Sequence, residues 1–254
     1  MSSPAIAALI VGNEILTGKR QDRHFAHVVE TLGARGLTLD YASYLGDDRA
    51  RLTDVLRESF ARGDIVFSFG GIGATPDDHT RQAAAAALGV PLELHPEAVR
   101  EIEARFGAEA YPQRVKMAEF PAGARIIPNP VNRVAGFAVR AHHFLPGFPQ
   151  MAWPMLDWVL ANWYPDLRRE REIERTLVVY DAGESQLVPL MEENVARYPR
   201  VKLFSLPAFV AADGRRRLEL GVRGIAADVE PAYEHLLAGV TASGFRFEPL
   251  DSGG

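Results

Sequence analysis

The chain has 254 residues, 47% hydrophobic and 24% charged, which is the composition of an ordinary globular protein and excludes a disordered or fibrous one. It contains no cysteine, so disulfides, thiolate metal sites and cysteine nucleophiles are excluded. The net charge of −5 gives no global positive field to attract nucleic acid.

The first apolar run, residues 5–11, is too short to span a bilayer, and no basic residue precedes it. A run of this length that ends at a glycine is typical of a buried strand. We therefore expect a cytoplasmic protein that does not bind a membrane.

Strands and helices alternate through the first 89 residues. The predicted elements are a strand at 5–11, a helix at 22–36, a strand at 38–45, a helix around 52–60, a strand at Ile65–Phe69 and a helix at 82–88. This order predicts a parallel sheet covered by helices on both faces, which is a three-layer α/β fold.

The remaining elements form two groups, separated by a charged run at residues 168–175. Before it we predict a helix at Pro96–Phe106, a strand at Arg125–Ile127, a hairpin at 137–145 and a helix at 150–164. After it we predict a strand at 176–180, a helix at 184–198, a hairpin of 201–211 with 217–224 across Asp213-Gly214, and a helix at 229–240. The chain is thus predicted to contain a large domain, residues 1–166, and a small α+β domain, residues 167–254.

The most informative segment is GGIGATPDDHT at residues 70–80, where a buried strand ends and a helix begins. Ligands of open α/β sheets bind outside the carboxyl ends of the strands. Gly70, Gly71 and Gly73 would let backbone amides approach an anion closely. Thr75 is the expected N-cap of the helix, with the next residue, a proline, in its first turn. The segment therefore predicts a phosphate-binding loop.

Acidic pairs follow two of the predicted strands. Asp77 and Asp78 would repel a phosphate unless a divalent cation such as Mg²⁺ lay between them. The alternative is that both acids only complement the helix dipole in the first helical turn, and spacing alone leaves this open. Asp47 and Asp48 end the second strand, where Asp48 is a candidate helix cap.

A further loop, GNEILTG at residues 12–18, follows the first strand. If the first and third strands are neighbours, this loop faces the same crevice as the glycine segment. Glu14 would then bind a metal or a hydroxyl group, and Lys19 or Arg20 a phosphate. The alternative is an ordinary loop with a solvated basic pair.

These motifs resemble a known family. The matching segments, in order, are GNEILTG (12–18), LGDDRARL (45–52), FGGIGATPDDHT (69–80), PNPV (128–131), GF (136–137) and LPGFPQM (145–151). Together they resemble the molybdopterin-binding domain shared by MoaB, MogA and gephyrin, and more closely its version in the competence/damage-inducible protein CinA and in eukaryotic FAD synthase. The resemblance extends to the second domain, which is similar to the small KH-like middle domain of CinA.

The resemblance implies a site for a molybdopterin or nucleotide carrying a phosphate or pyrophosphate. It implies that the ligand is held by Gly12, Gly70, Gly71, Gly73, Thr75 and Gly147. It implies a divalent metal, Mg²⁺ with Co²⁺ or Mn²⁺ as alternatives, on Asp77 and Asp78. The implied catalytic residues are Glu14, Asp47 and Asp78.

The same resemblance leaves three functions open. CinA-type members imply metal-dependent hydrolysis of ADP-ribose or a related dinucleotide pyrophosphate. The molybdenum-cofactor members imply adenylylation of molybdopterin, and a non-catalytic molybdopterin-binding module is the third possibility. Ala74 stands where the CinA-like pattern usually has proline, and residues 132–135 lack the usual proline and small residues. Relatives also imply a homo-oligomer, a dimer or trimer.

Several other signals are not assigned to the site. His24 and His27 are spaced as a metal pair but have no third ligand in the sequence, so we expect a surface or boundary pair. His142 and His143 would point to opposite faces of a strand, and His79 is expected to face solvent. The basic run at residues 215–217 is expected to be a solvated hairpin tip, so no nucleic-acid partner is predicted.

Overall fold

The computed structural model describes residues 4–167, 172–208 and 216–250. The chain divides into two compact units, Met1–Arg168 and Arg169–Gly254. Among the described residues, no helix is both long enough and apolar enough to cross a membrane.

The first unit contains eight strands and six α-helices within the described residues. In chain order they are β1 (Ile6–Val11), α1 (Asn13–Leu16), α2 (His24–Gly33), β2 (Tyr41–Leu45), α3 (Arg49–Arg62), β3 (Ile65–Phe69), α4 (Thr80–Leu88), β4 (Leu92–Leu94), α5 (Pro96–Phe106), two 3₁₀ helices (Gly107–Ala110 and Arg114–Ala118), β5 (Glu119–Pro121), β6 (Arg125–Ile127), β7 (Gly136–Val139), β8 (His142–Leu145) and α6 (Pro149–Trp163).

Six of these strands form the main sheet, in the order β2-β1-β3-β8-β7-β6. The strands β2, β1, β3 and β8 are parallel, whereas β7 and β6 continue the sheet in antiparallel pairing. The predicted hairpin is β7–β8. Because the four parallel strands share a direction, the loops that follow them meet at one edge of the sheet.

Side chains of β1 alternate between two cores. Ala7, Leu9 and Val11 face a core built with α3, α4 and α5. Ile6, Ala8 and Ile10 face a second core built with α2 and α6. All six residues are buried, as expected for a strand covered on both faces. The predicted three-layer α/β fold is confirmed.

The two adjacent histidines of β8 lie in different cores, as predicted. The Nε2 atom of His142 lies 2.8 Å from the Ser59 hydroxyl on one face. On the other face, Nδ1 of His143 lies 3.1 Å from the Val66 carbonyl oxygen. Burial lowers the pKa of His142 to about 3 and that of His143 to about 4. Both rings are therefore neutral members of the core.

The second unit is a four-stranded antiparallel sheet with two helices. Its elements are β9 (Glu172–Tyr180), α7 (Glu184–Arg197), β10 (Lys202–Ala208), β11 (Arg217–Ile225), α8 (Ala226–Ala242) and β12 (Phe247–Leu250), and the sheet order is β10-β11-β9-β12. The predicted α+β order is confirmed, and the last strand was missed. The predicted turn at Asp213-Gly214, together with Arg215, lies outside the described residues.

Candidate functional site

A cavity of about 500 Å³ lies in the first unit, where β1, β2, β3 and β8 end. The structure brings all ten residues proposed from the sequence into its lining. They are Gly12, Glu14, Asp47, Gly70, Gly71, Gly73, Thr75, Asp77, Asp78 and Gly147. Four separate loops therefore contribute to one site.

The glycine loop that follows β3 needs glycine for steric reasons. Gly70 has a φ of 104°, and a Cβ atom there would lie 2.2 Å from the carbonyl oxygen of Val11. Gly71 has a φ of 68°, and a Cβ atom there would lie 2.2 Å from Oγ1 of Thr80. Real carbon–oxygen contacts are never this short, so only glycine lets the chain pass between β1 and α4.

The start of α4 binds the carbonyl groups of this loop. The hydroxyl of Thr80 donates to the Gly70 oxygen at 3.0 Å, and the amide of Thr80 donates to the Gly71 oxygen at 3.0 Å. The guanidinium of Arg81 donates to the Gly73 oxygen at 2.6 Å. In a trans peptide the N–H points opposite to the C=O, so the amides that follow these three carbonyls point away from α4.

These amides are left without acceptors. Within the described part of the chain, the N–H groups of these three residues, 71, 72 and 74, donate no hydrogen bond, and neither does that of Gly73. The same residues line the cavity. Consecutive backbone amides that face a concave surface form an anion-binding nest, so the loop is suited to hold a phosphate group.

The turn that follows corrects the predicted start of the helix. The Asp78 carboxylate accepts hydrogen bonds from the Thr75 amide at 2.9 Å and the Thr75 hydroxyl at 2.5 Å. The Thr75 hydroxyl therefore donates to a side chain, and α4 begins at Thr80, with His79 as N-cap. Thr75 is not an N-cap, and Asp77 and Asp78 are not in the first helical turn.

The two acids of this turn differ in their surroundings. Asp77 is exposed, and its pKa lies below the ordinary value because the Thr75 side chain and its own amide stabilise the carboxylate and His79 lies nearby. Asp78 is half-buried, and its Oδ2 atom would lie 2.5 Å from a Cβ atom added to Gly73. His79 is half-buried and does not line the cavity.

The acids from the other loops hold different positions. Asp47 accepts a hydrogen bond from the Asn13 amide at 2.8 Å, and the Asn13 side chain accepts one from the Asp47 amide at 3.3 Å. Asp47 therefore ties the loop after β2 to the start of α1. The Glu14 carboxylate folds back over Gly12, close to where a Cβ atom would be. Asp48 caps α3 by accepting from the Arg51 amide at 2.7 Å, as predicted.

Arg20 is the member of the basic pair that reaches the cavity. Lys19 does not contribute to the lining. The Arg20 guanidinium lies 6.0 Å from the centre of the Phe148 ring, which also lines the cavity. The described lining residues include four carboxylates and one guanidinium, so the cavity has a net negative charge. The carboxylates are those of Glu14, Asp47, Asp77 and Asp78, and the guanidinium is that of Arg20.

Part of the cavity wall is largely apolar, and the sequence reasoning did not assign it to the site. Its side chains come from the end of α5, a 3₁₀ helix, the loop before β7 and the start of α6. They are Phe106, Met117, Val134 and Met151, accompanied by Asn129 and Asn132. Asn129 and Met151 fall within the quoted PNPV and LPGFPQM segments, whereas the other four are scattered along the chain and belong to no quoted motif. A wall of this kind fits a planar ring.

His24 is buried rather than on the surface, which corrects part of the sequence interpretation. Its ring is 4% exposed and stacks on Phe69 with ring centres 4.5 Å apart. Its Nε2 atom lies 3.1 Å from the Gly147 carbonyl oxygen, and burial lowers the pKa of the ring. A neutral ring must donate to this oxygen through Nε2, so His24 holds the Gly147 loop in place. His27 is half-buried against Trp153, at the boundary as expected.

The donor set fits a divalent cation only in part. Within residues 4–167, 172–208 and 216–250, no cluster of three or more His, Cys, Asp or Glu side chains is arranged to hold a metal. Mg²⁺ is usually bound by one or two carboxylates together with water and substrate phosphates. Asp77 and Asp78 beside the amide nest meet that requirement, but they do not form an all-protein metal site.

Comparisons with known proteins agree with this geometry. Residues 7–169 match the family model described as a probable molybdopterin binding domain. A CinA-like protein from Anaeromyxobacter sp. (strain Fw109-5) is 34% identical over 245 residues, covering 88% of this chain and 60% of that protein. A CinA-like protein from Citrifermentans bemidjiense is 34% identical over 208 residues, covering 78% of this chain and 50% of that protein.

A solved structure supports the same assignment for the first unit. The protein CinA of unknown function from Thermoplasma acidophilum is 30% identical, with a TM-score of 0.57, and the match covers 62% of this chain and 98% of that one. The chain spans half to two thirds of the length of three CinA-like relatives and 40–45% of the length of two others. This chain therefore belongs to the family of probable molybdopterin binding domains and is similar to CinA-like proteins.

Proposed function

We propose that the chain binds a nucleotide or pterin pyrophosphate with a divalent cation in this cavity, and that it hydrolyses the pyrophosphate bond of an ADP-ribose-like substrate. The observation that carries the proposal is the row of unpaired amides at residues 71–74 beside the carboxylates of Asp77 and Asp78. The amides suit a phosphate, and the apolar part of the cavity wall suits the ring.

The charge of the cavity supports the cation. Four carboxylates and one guanidinium would repel a pyrophosphate, because each partner carries net negative charge. Asp77 and Asp78 would hold Mg²⁺ or a similar cation, which would supply charge neutralisation of the phosphoryl oxygens. Ligand and cation are therefore expected to bind together rather than separately.

The protein's own groups would divide the remaining tasks. The amides of residues 71–74 hold the phosphate in place and stabilise negative charge as it develops. Glu14, on the short helix α1, would accept a proton from an attacking water molecule. Asp47 holds α1 through the Asn13 amide, so we assign it to positioning rather than to the reacting atoms.

The test is turnover of dinucleotide pyrophosphates. We expect incubation with ADP-ribose and Mg²⁺, Mn²⁺ or Co²⁺ to yield AMP and ribose 5-phosphate, one water being consumed per bond. FAD and other dinucleotides serve as alternative substrates. Saturable, metal-dependent binding without turnover would instead favour a non-catalytic module, and absence of binding would overturn the proposal.

Two substitutions locate the reaction. Asp78→Asn removes a charge from the proposed cation site, and Gly73→Val displaces the Asp78 carboxylate, because a Cβ atom would lie 2.5 Å from its Oδ2. Both should lower binding and turnover at least about tenfold. Asp54→Asn is the matched control, since Asp54 is exposed on α3, is paired with Arg57 at 2.7 Å and does not line the cavity. Normal turnover by Asp78→Asn and Gly73→Val would contradict the site.

A further inference from the structure

We infer that Arg81 is the positioning residue of the anion site, because its buried guanidinium turns the amide of Ala74 toward the ligand and adds positive charge beneath the loop. This inference rests on the proposed function, since it concerns the same anion. Sequence reasoning missed Arg81, which lies in an alanine-rich helix and resembles an ordinary solvated helix residue.

Arg81 is bound almost entirely by backbone carbonyl groups. Its side chain is 3% exposed. The guanidinium donates to the Gly73 oxygen at 2.6 Å and to the Glu119 oxygen at 3.1 Å, and it also donates to the Lys116 oxygen. Nη1 of Arg81 binds the Lys116 and Glu119 oxygens, while Nη2 binds the Gly73 oxygen, so the fixed guanidinium restrains the orientation of the Gly73 carbonyl.

That orientation determines where the next amide points. With the Gly73 carbonyl bound to Arg81, the N–H of Ala74 points away from α4. Ala74 lines the cavity and its amide makes no hydrogen bond to any described residue. A loop without this restraint would sample other orientations, and a ligand would have to order it at a cost in affinity.

The positive charge of Arg81 is only weakly compensated. The nearest Glu119 carboxylate oxygen lies 3.9 Å from the guanidinium, beyond hydrogen-bond distance, and Asp78 acts on it only through space. Burial lowers the pKa of this arginine, but an arginine remains protonated in proteins. A buried cation that lacks a close carboxylate partner attracts an anion more strongly than one in an ion pair.

The experiment compares Arg81→Lys with a control of similar stability loss. Inorganic pyrophosphate with Mg²⁺ is the probe, and the dissociation constant is measured together with the ¹H–¹⁵N shift of the Ala74 amide. Arg81→Lys keeps a charge but loses the fork that binds three carbonyls. We expect the dissociation constant to rise at least about tenfold and the ligand-induced shift of Ala74 to disappear. Arg81→Gln, which keeps donors without charge, replaces it if the lysine variant does not fold.

Val159→Ala is the matched control. Val159 is fully buried on α6, in the core on the other side of the sheet, so its truncation lowers thermal stability without touching the cavity. Its dissociation constant and Ala74 shift should match the wild type. A folded Arg81 variant that binds pyrophosphate within twofold of the wild type would overturn the role of Arg81, as would equal loss in Val159→Ala. Absence of pyrophosphate binding by the wild type would instead overturn the proposed function.

Discussion

The loops after β3 and after β1 both reach the same cavity, but they are supported differently. The carbonyls of the glycine loop, residues 70–74, are bound by Thr80 and Arg81, which are 1% and 3% exposed. The loop that contains α1 is held by Asn13 and Asp47, which exchange hydrogen bonds near the surface.

This difference indicates a division of labour. Buried supports hold the backbone amides of the glycine loop rigidly, which suits the binding of an anion of fixed shape. Supports near the surface allow the acids of the other loop to adjust, which suits side chains that must handle water or a proton. The comparison can be tested by weakening each loop separately.

The largest effect is expected from Gly70→Ala. Its new Cβ atom would lie 2.2 Å from the Val11 oxygen, which is a backbone atom of the central strand β1 and not the end of a flexible side chain. Together with the strain of a φ of 104°, this should cost about 2–5 kcal/mol of unfolding free energy and abolish anion binding. Urea denaturation and pyrophosphate binding measure the two effects.

Gly63→Ala is the control for Gly70. Gly63 also has a positive φ, 76°, but no atom lies within 4 Å of its added Cβ. It should cost only about 1–2 kcal/mol and leave binding unchanged. Equal losses in the two variants would mean that strain alone, and not the contact with β1, makes Gly70 necessary.

A smaller effect is expected from Asp47→Ala in the other loop. Loss of the bond to the Asn13 amide should cost about 1 kcal/mol and weaken cation-dependent binding, because α1 carries Glu14. Asp48→Ala is the control. It also removes one hydrogen bond from a backbone amide, that of Arg51, but Asp48 does not line the cavity. The Asp48→Ala variant should lose a similar amount of stability in thermal unfolding and should keep its cation-dependent binding. If Asp48→Ala weakened binding as much as Asp47→Ala, the proposed positioning role of Asp47 would be wrong.

The smallest effect is a change in the pKa of Asp77. Stabilisation by the Thr75 side chain is the largest cause holding this pKa below its ordinary value of 3.8. Because the pKa is lowered, the carboxylate keeps its charge until the pH falls through that lower value. Thr75→Val should move the midpoint of an NMR titration of Asp77 upward, toward 3.8, and Thr75→Ser should not. An unchanged midpoint in Thr75→Val would assign the shift to other groups.

Elements with local signals were predicted well from the sequence. The bounds of β3 and α5 agree with the structure because an apolar run that meets glycine, and a proline at a helix start, are decided by neighbouring residues. The start of α4 was placed wrongly because Thr75 can cap a helix or bind Asp78. That choice depends on Thr80 being engaged by the Gly70 carbonyl, a contact the sequence does not reveal.

The site itself divides in the same way. Its acidic residues and glycines were found because they cluster in motifs at strand ends, and the topology brings such ends together. Its apolar wall and its buried support were missed. Met117 and Val134 look like any core residue, and Arg81 looks solvated until the carbonyls around it are known.

The neutral imidazoles at the start of β8 carry a consequence for acid resistance. In the unfolded chain these rings would be protonated at their ordinary pKa of 6.5. In the folded chain the pKa is about 3 for His142 and about 4 for His143, so both rings stay neutral to a much lower pH. Since the unfolded state binds more protons in this interval, folding weakens steadily as the solution is acidified below 6.5. The two rings lie on opposite faces of the main sheet, so acidification destabilises the packing on both faces in the same pH range.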